Sequence, residues 1–157
     1  MKKILFLPFI LCLILGFTNK TGEAPNGIKL KGTWVMVSEK HGDEPAEKSK
    51  KGMGIVKKKF LTGTHFSWVE YNEAGEMMSL GGGSYTLEED NKYVEVIEYF
   101  YPKGSGLLGV SIPFKCKLEG KKWTHTGIIQ HREIDGETGE YEVVNSERLE
   151  EVWERID

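Results

Sequence analysis

The sequence has very little cysteine, and this limits how the fold can be stabilised. Of 157 residues, only Cys12 and Cys116 are cysteines. Cys12 lies in an apolar N-terminal run that we interpret as a removable leader, so the exported domain would keep one thiol and no internal disulfide. The core must then hold the fold alone. Cys116 alternates with apolar neighbours, and we interpret it as a small buried hydrophobe.

The sequence also lacks an excess of positive charge and any long apolar run. Its 21 basic and 24 acidic side chains give a net charge of −3. We predict no nucleic-acid partner, because such a partner requires a basic stripe. The apolar or small-residue run over 4–17 is shorter than the ~20 residues that a spanning helix needs. Once the leader is removed, we expect no transmembrane segment.

Residues 1–23 have the organisation of a secretory signal peptide. Lys2 and Lys3 form a positive start, the apolar run follows, and polar residues come next, with cleavage at about 18–24. A lipid-attachment cysteine follows a small residue, whereas Cys12 follows bulky Leu11, which disfavours a lipid anchor. We predict one exported domain over 24–157, either periplasmic or extracellular.

Short catalytic and cofactor fingerprints are missing as well. The sequence contains no P-loop, no Gly-x-Ser-x-Gly and no His-Glu-x-x-His motif. His65 and His125 lie on separate predicted strands without metal-ligand spacing, and we interpret them as structural histidines. We predict no metal and no cofactor. Whether the protein is an enzyme stays open, with a non-enzymatic role preferred.

What the sequence does have is alternation of apolar and polar residues, interrupted by turn residues at short intervals. In Val110–Leu118, for example, the apolar side chains fall on one face and two lysines on the other. A run of three glycines, 81–83, predicts a bulge or a sharp barrel corner. Predicted strands are 64–71, 77–80, 84–88, 93–101, 110–118, 123–130 and 149–156, after a first strand near 30–36.

These predicted strands follow one another through hairpin-like turns. The segment 39–52, between the first two of them, is charged, and we interpret it as a solvated loop or lid. The pattern predicts an all-β fold: an antiparallel up-and-down meander of about eight strands that closes into a barrel. No internal repeat is apparent.

The first and last predicted strands carry residues that resemble a known family. Gly32-Thr33-Trp34 resembles the Gly-x-Trp signature of lipocalins, and Arg155 on the last strand stands where their C-terminal arginine would. In that family the arginine lies over the tryptophan at the closed end of the barrel, a cation–π contact of ~0.5–2 kcal/mol. The chain departs from true lipocalins in lacking their middle Thr-Asp-Tyr motif and their disulfides.

The wider pattern resembles a family of bacterial exported lipocalin-like domains of unknown function. The resemblance covers nearly the whole chain after the leader and implies a lipocalin-type barrel and an exported compartment. It supplies no established ligand and no catalytic residues. The matching segments are LKGTW (30–34), THFSWV (64–69), GGSYTL (82–87), YVEVIEY (93–99) and LEEVWERI (149–156).

An eight-stranded barrel is either filled by side chains or holds one small ligand. In the strand 93–101, Tyr93, Glu95, Ile97, Tyr99 and Tyr101 share one face. If that face points inward, a carboxylate flanked by phenols lines the interior. We therefore favour a binding protein for a small amphipathic molecule. Its candidate wall residues are His65, Tyr85, Tyr93, Glu95, Tyr99 and Trp123, and Gly32, Trp34 and Arg155 are the structural signature.

Two alternatives stay open. In one, the barrel is filled by side chains and its surface acts as a protein-interaction or inhibitor module. In the other, Glu95 or Glu98 acts with a histidine as general acid or base in a small hydrolase or isomerase. Alternation alone does not fix which face of 93–101 is inward, so the sequence does not decide among these functions.

Overall fold

The computed structural model describes residues 29–44, 47–48, 54–103 and 106–157. The predicted signal peptide and Cys12 lie outside the described residues, as does most of 45–53. The strands of the described part are β1 (Gly32–His41), β2 (Glu47–Lys48), β3 (Ile55–Leu61), β4 (His65–Asn72), β5 (Met77–Glu88), β6 (Lys92–Tyr101), β7 (Ser111–Glu119), β8 (Lys122–Ile134) and β9 (Tyr141–Arg155).

The strands form one antiparallel meander. From β3 to β9 each strand pairs with the next one along the chain, and β1 pairs with β3 on one side and with β9 on the other. The two-residue strand β2 adds only a short pairing to β1. The eight longer strands therefore close into a barrel, which confirms the predicted all-β, up-and-down fold.

Strand β3 is absent from the predicted strands because its inward positions are charged. Lys59 is buried in the barrel, whereas Phe60 is 41 % exposed on the outer face. Both faces of β3 thus mix lysines with apolar residues, so alternation does not mark its inner face. At β5 the difference is smaller, since 77–80 and 84–88 join through the glycines into one strand.

The glycine run lies at the predicted bulge. Gly82 pairs with Tyr99 and Gly83 with Ile97, so Glu98 is the extra residue of β6. A Cβ atom on Gly81 would lie 2.9 Å from the indole nitrogen of Trp68, so the strand needs a residue without a side chain there. Beyond the bulge, β6 turns its other face inward.

The core fills the barrel half that holds Trp34. Trp34, Trp123 and Trp153 are fully buried, and the first two meet edge to face with ring centroids 5.3 Å apart. Cys116 is buried in the same core, as predicted, and burial raises the pKa of its thiol to about 11. Aromatic packing thus fills this half of the barrel, and Cys116 forms no disulfide.

Arg155 covers the barrel end beside Trp34, which we call the closed end. Its guanidinium carbon lies 4.3 Å from the centroid of the Trp34 ring, and Nη1 donates a hydrogen bond to the Lys31 carbonyl at 2.6 Å. Nη2 donates to the Lys29 carbonyl. Gly32 has φ +143°, and a Cβ atom there would lie 2.6 Å from Arg155 Nη1, so only glycine suits this position.

The opposite end is the open end, where β1 finishes at His41 and where the β4–β5 and β8–β9 turns lie. Within the described residues, no helix is long and apolar enough to span a membrane.

Candidate functional site

A cavity of about 280 Å³ occupies the open-end half of the barrel. Two exposed histidines, His41 and His131, stand on its lining near solvent. The apolar lining consists of Trp68, Ile97, Phe100, Leu107, Ile112, Phe114, Ile129 and Leu149. The remaining polar lining consists of Glu39, Lys57, Lys59, Glu70, Ser79, Glu95 and Glu151.

Aromatic rings form one wall of the cavity. Trp68 and Phe100 meet edge to face, with ring centroids 5.5 Å apart. Both are half-buried, unlike the tryptophans of the core. Phe100 reaches this wall because the bulge at Glu98 reverses the alternation of β6. The wall therefore offers aromatic surface to any molecule in the cavity.

Lys59 carries a buried positive charge at the inner side of the cavity. Its Nζ donates a hydrogen bond to Glu95 Oε1 at 2.7 Å and lies 3.6 Å from Glu151 Oε2. It also stands 4.9 Å from the ring centroid of Trp153. A buried charge persists only when it is paired and hydrogen-bonded. Both conditions are met here.

Lys57 links two more carboxylates to this group. Its Nζ donates to Glu39 Oε1 at 2.9 Å and to Glu151 Oε1 at 3.2 Å. Burial works against its charge, but the attraction of Glu151 and Glu39 is stronger and raises the pKa of Lys57 above its ordinary value. Lys57 stays protonated at any physiological pH.

Glu151 connects both lysines to His125. His125 Nε2 hydrogen-bonds to Glu151 Oε2, which also accepts from Trp153 Nε1 at 3.1 Å. Burial opposes ionisation, but Lys57, Lys59 and His125 hold the pKa of Glu151 well below its ordinary value. Burial, together with the nearby Lys59 charge, lowers the pKa of His125, so its ring is neutral at pH 7.

These groups form an ionic network that we define as Glu39, Lys57, Lys59, Glu95, His125 and Glu151. Each member is hydrogen-bonded to at least one other. Such a network fixes charge and geometry at the inner side of the cavity, with carboxylates in excess over lysines.

A second, exposed group stands at the rim. His41 Nδ1 and His131 Nε2 lie 3.0 Å and 2.7 Å from the same oxygen of Glu147. Hydrogen bonds from His41 and His131 lower the pKa of Glu147. This contact ties β1 to the β8–β9 hairpin beside the entrance.

The sequence-predicted wall residues occupy different places. Glu95 lines the cavity, and the Tyr93 hydroxyl donates to its Oε1 at 2.7 Å from within the core. Trp123 is fully buried in the core, and the Tyr85 hydroxyl donates to the Thr62 carbonyl at 2.7 Å.

The other two lie away from the cavity. Tyr99 is on the outer face, because the bulge at Glu98 separates it from the face of Glu95. His65 is exposed at the start of β4, at the closed end, where its Nδ1 lies 2.8 Å from Thr64 Oγ1. Of the six candidates, Glu95 is therefore the residue that lines the cavity.

Sequence reasoning missed Lys57, Lys59 and Glu151. Glu151 carries a usable signal, since Leu149 and Trp153 flank it at two-residue spacing and place it on their inward face. The two lysines carry a weaker one, because they belong to a run of three consecutive lysines, 57–59, which is typical of a solvated segment. Only closure of the barrel reveals that they point inward.

In the part of the chain that the structure describes, no group of three or more His, Cys, Asp or Glu side chains is arranged to hold a metal ion. The polar lining is instead organised by lysine–carboxylate pairs.

Comparison with known proteins identifies a family without a known activity. Residues 29–157 match the family described as Domain of unknown function (DUF4488). This span covers all of the described structure, including every residue of the cavity. No curated protein matches the chain.

Proposed function

Because the chain belongs to the family described as Domain of unknown function (DUF4488), which states no activity, we propose from the geometry that it binds a small amphipathic molecule in the open-end half of the barrel. The observation that carries the proposal is the cavity of about 280 Å³, which has an aromatic wall and an ionic network at its inner side.

The size of the cavity supports a small ligand. Ligand pockets usually measure ~300–1,000 Å³, so this cavity lies just below the lower limit of the range and suits a small molecule. A barrel filled completely by side chains, the alternative considered from the sequence, would leave no such space. The open half differs in this respect from the closed half, where three tryptophans fill the interior.

The distribution of polarity supports an amphipathic ligand. Most of the exposed wall surface is apolar, and most of the charges belong to the ionic network. Pockets of this kind gain affinity from apolar contact and orientation from a few fixed polar groups. We infer that the apolar part of the ligand lies against Trp68 and Phe100 and that its polar part meets Glu95 or Glu39.

Native mass spectrometry tests this proposal directly. Protein purified from the cells that produce it should carry a mass that denaturation releases. Ser79→Phe places a ring in the cavity and should abolish that mass. Ser111→Phe makes the same change on the exposed outer side of β7 and should keep it.

A fluorescent probe provides a second measurement. The neutral dye N-phenyl-1-naphthylamine should bind with a saturable rise in fluorescence that Ser79→Phe removes and Ser111→Phe keeps. If the native protein carries no released mass and the dye does not bind, the proposal is wrong.

We also propose that the protein is exported. The support is the positive start of the chain, followed by its short apolar run over 4–17. N-terminal sequencing of the protein recovered outside the cytoplasm should begin between about 18 and 25. Recovery of an intact Met1 would contradict export by cleavage.

Kinship with lipocalins is a further part of the proposal. Its support is the contact of Arg155 with Trp34, 4.3 Å from ring centroid to guanidinium carbon, beside a glycine at 32. An experimental structure that superposes on lipocalins strand for strand would support this kinship, and a different strand order would refute it.

A further inference from the structure

We propose that the ligand of this cavity is an organic ammonium ion with an apolar body, an inference that rests on the proposed binding function. The cavity combines an excess of carboxylates, lysines already held in ion pairs, and aromatic faces next to the charges. Each of these observations concerns a different part of the lining.

The first observation is charge. Among the lining residues that the structure describes, four are glutamates (Glu39, Glu70, Glu95 and Glu151) and two are lysines. The rim contributes Glu147 with His41 and His131. Even without Glu70, the described members of the ionic network include three carboxylates against two lysines. In a partly enclosed cavity such an excess attracts a cation and repels an anion.

The second observation is that the lysines are already occupied. Lys59 Nζ has Glu95 at 2.7 Å and Glu151 at 3.6 Å, and Lys57 Nζ has Glu39 at 2.9 Å and Glu151 at 3.2 Å. An anionic ligand would have to displace one of these carboxylates. Displacement leaves a buried carboxylate without its partner, which is costly. The lysines therefore serve the network rather than an anion.

Two of the carboxylates, in contrast to the lysines, can accept further hydrogen bonds. Both hydrogen bonds to Glu95, from Lys59 Nζ and from the Tyr93 hydroxyl, end on Oε1. Likewise, the Lys57 contact to Glu39 uses Oε1. A carboxylate has about four lone-pair positions, so Oε2 of each residue can accept from an ammonium N–H. Burial of Glu95 would make such a bond strong.

The third observation is the aromatic wall. Lys57 Nζ already stands 5.2 Å from the ring centroid of Trp68, so the environment of this ring suits a positive charge. Phe100 extends the same surface. Ring faces attract cations, and the attraction grows when water is excluded. An ammonium group can thus be held between ring and carboxylate, with its apolar body along Phe100, Leu107 and Ile129.

A matched series of probes tests the charge of the ligand. Octylammonium, octanoate and octanol share one alkyl chain and differ in head-group charge at pH 7. Isothermal titration calorimetry on the wild-type protein should show octylammonium binding about tenfold tighter than octanol, with octanoate weakest. The preference over octanol should shrink in high salt, because screening weakens attraction between charges.

Two variants locate the effect. Glu39 lines the cavity and accepts from Lys57 Nζ at 2.9 Å, a bond that an amide oxygen can also accept. Glu39→Gln should weaken octylammonium about fivefold and change octanol binding by less than about twofold. Glu119→Gln is the control, since Glu119 is exposed at the closed end and pairs with Lys117, so binding should not change.

The outcomes separate this inference from the proposed function. Octanol or octanoate binding as tightly as octylammonium would refute the ammonium ligand and leave the binding function in place. Equal effects of Glu39→Gln on octylammonium and octanol would also refute it. If no probe binds, the ammonium inference is wrong. The released mass and the dye then decide the binding function separately.

Discussion

The two halves of the barrel are built from the same strands but use them differently. At the closed end, Trp34, Trp123 and Trp153 fill the interior and Arg155 covers it. At the open end, the inward positions carry lysines and glutamates, and about 280 Å³ stays free of side chains. One half therefore supplies stability, and the other supplies a site.

Bulges separate the halves. Between Met36 and Ser38 the register of β1 against β9 shifts, and at Gly82/Gly83 the register of β5 against β6 shifts. After the first shift Glu39 points inward, and after the second Phe100 does. Each bulge changes which face of its strand meets the interior. Glu39 and Phe100 therefore line the cavity because β1 and β6 change faces partway along the barrel.

The largest expected effect is removal of a closed-end tryptophan. Trp123→Ala should lower the free energy of unfolding by about 3–5 kcal/mol, because a fully buried ring leaves a large void. Trp68→Ala should cost roughly half of that or less, because Trp68 already borders the cavity. Urea denaturation measures both values. Equal losses would show that the two halves contribute alike to stability.

Removal of the Lys59 charge should have the next largest effect. Lys59→Met should destabilise by about 3 kcal/mol, because Glu95 then keeps only the Tyr93 hydrogen bond for its buried charge. Lys57→Met should cost less, since Lys57 is more exposed than Lys59. Adding Glu95→Gln to Lys59→Met should restore part of the loss. A double variant less stable than the single one would contradict this account.

Acid should weaken the ionic network in two steps. The pKa of His125 is depressed below 6.5 and that of Glu151 lies well below 4.5. In both cases the unfolded chain binds more protons, so unfolding becomes easier as pH falls, first below about 6.5 and then below about 4.5. Urea denaturation between pH 8 and pH 3 measures this slope.

Glu151→Gln is the matched variant for the acid effect. It should flatten the decline below pH 4.5, whereas Glu119→Gln, at the exposed end of β7, should leave most of it. A steeper decline in Glu151→Gln than in wild type would be incompatible with a depressed pKa of Glu151.

The smallest effect concerns the cover of the closed end. Arg155→Lys keeps the charge over Trp34 but loses the two-pronged contact with the Lys29 and Lys31 carbonyls. We expect a loss of about 1 kcal/mol in unfolding free energy. Arg148→Lys, at an exposed position of β9, should change stability by less than about 0.5 kcal/mol.

Alternation was a good guide where the core is apolar. Strands such as β7, with Ile112, Phe114 and Cys116 inward, were predicted near their true bounds. The same reasoning did not predict β3, because Lys57 and Lys59 point inward although lysines are typical of a solvent-facing strand. It also placed Tyr99 beside Glu95, because a bulge within a strand cannot be seen as a change of period over so few residues.

The sequence by itself determined the class of fold and the composition of the closed end. Period-two alternation with frequent turns predicts antiparallel strands. The positions of Gly32, Trp34 and Arg155 indicate that the first and last strands meet at the closed end. Only the tertiary structure decided where the charges go. A lysine on a barrel strand points either outward to water or inward to a glutamate. Strand register and barrel closure decide between the two, and both are set by pairings between distant segments.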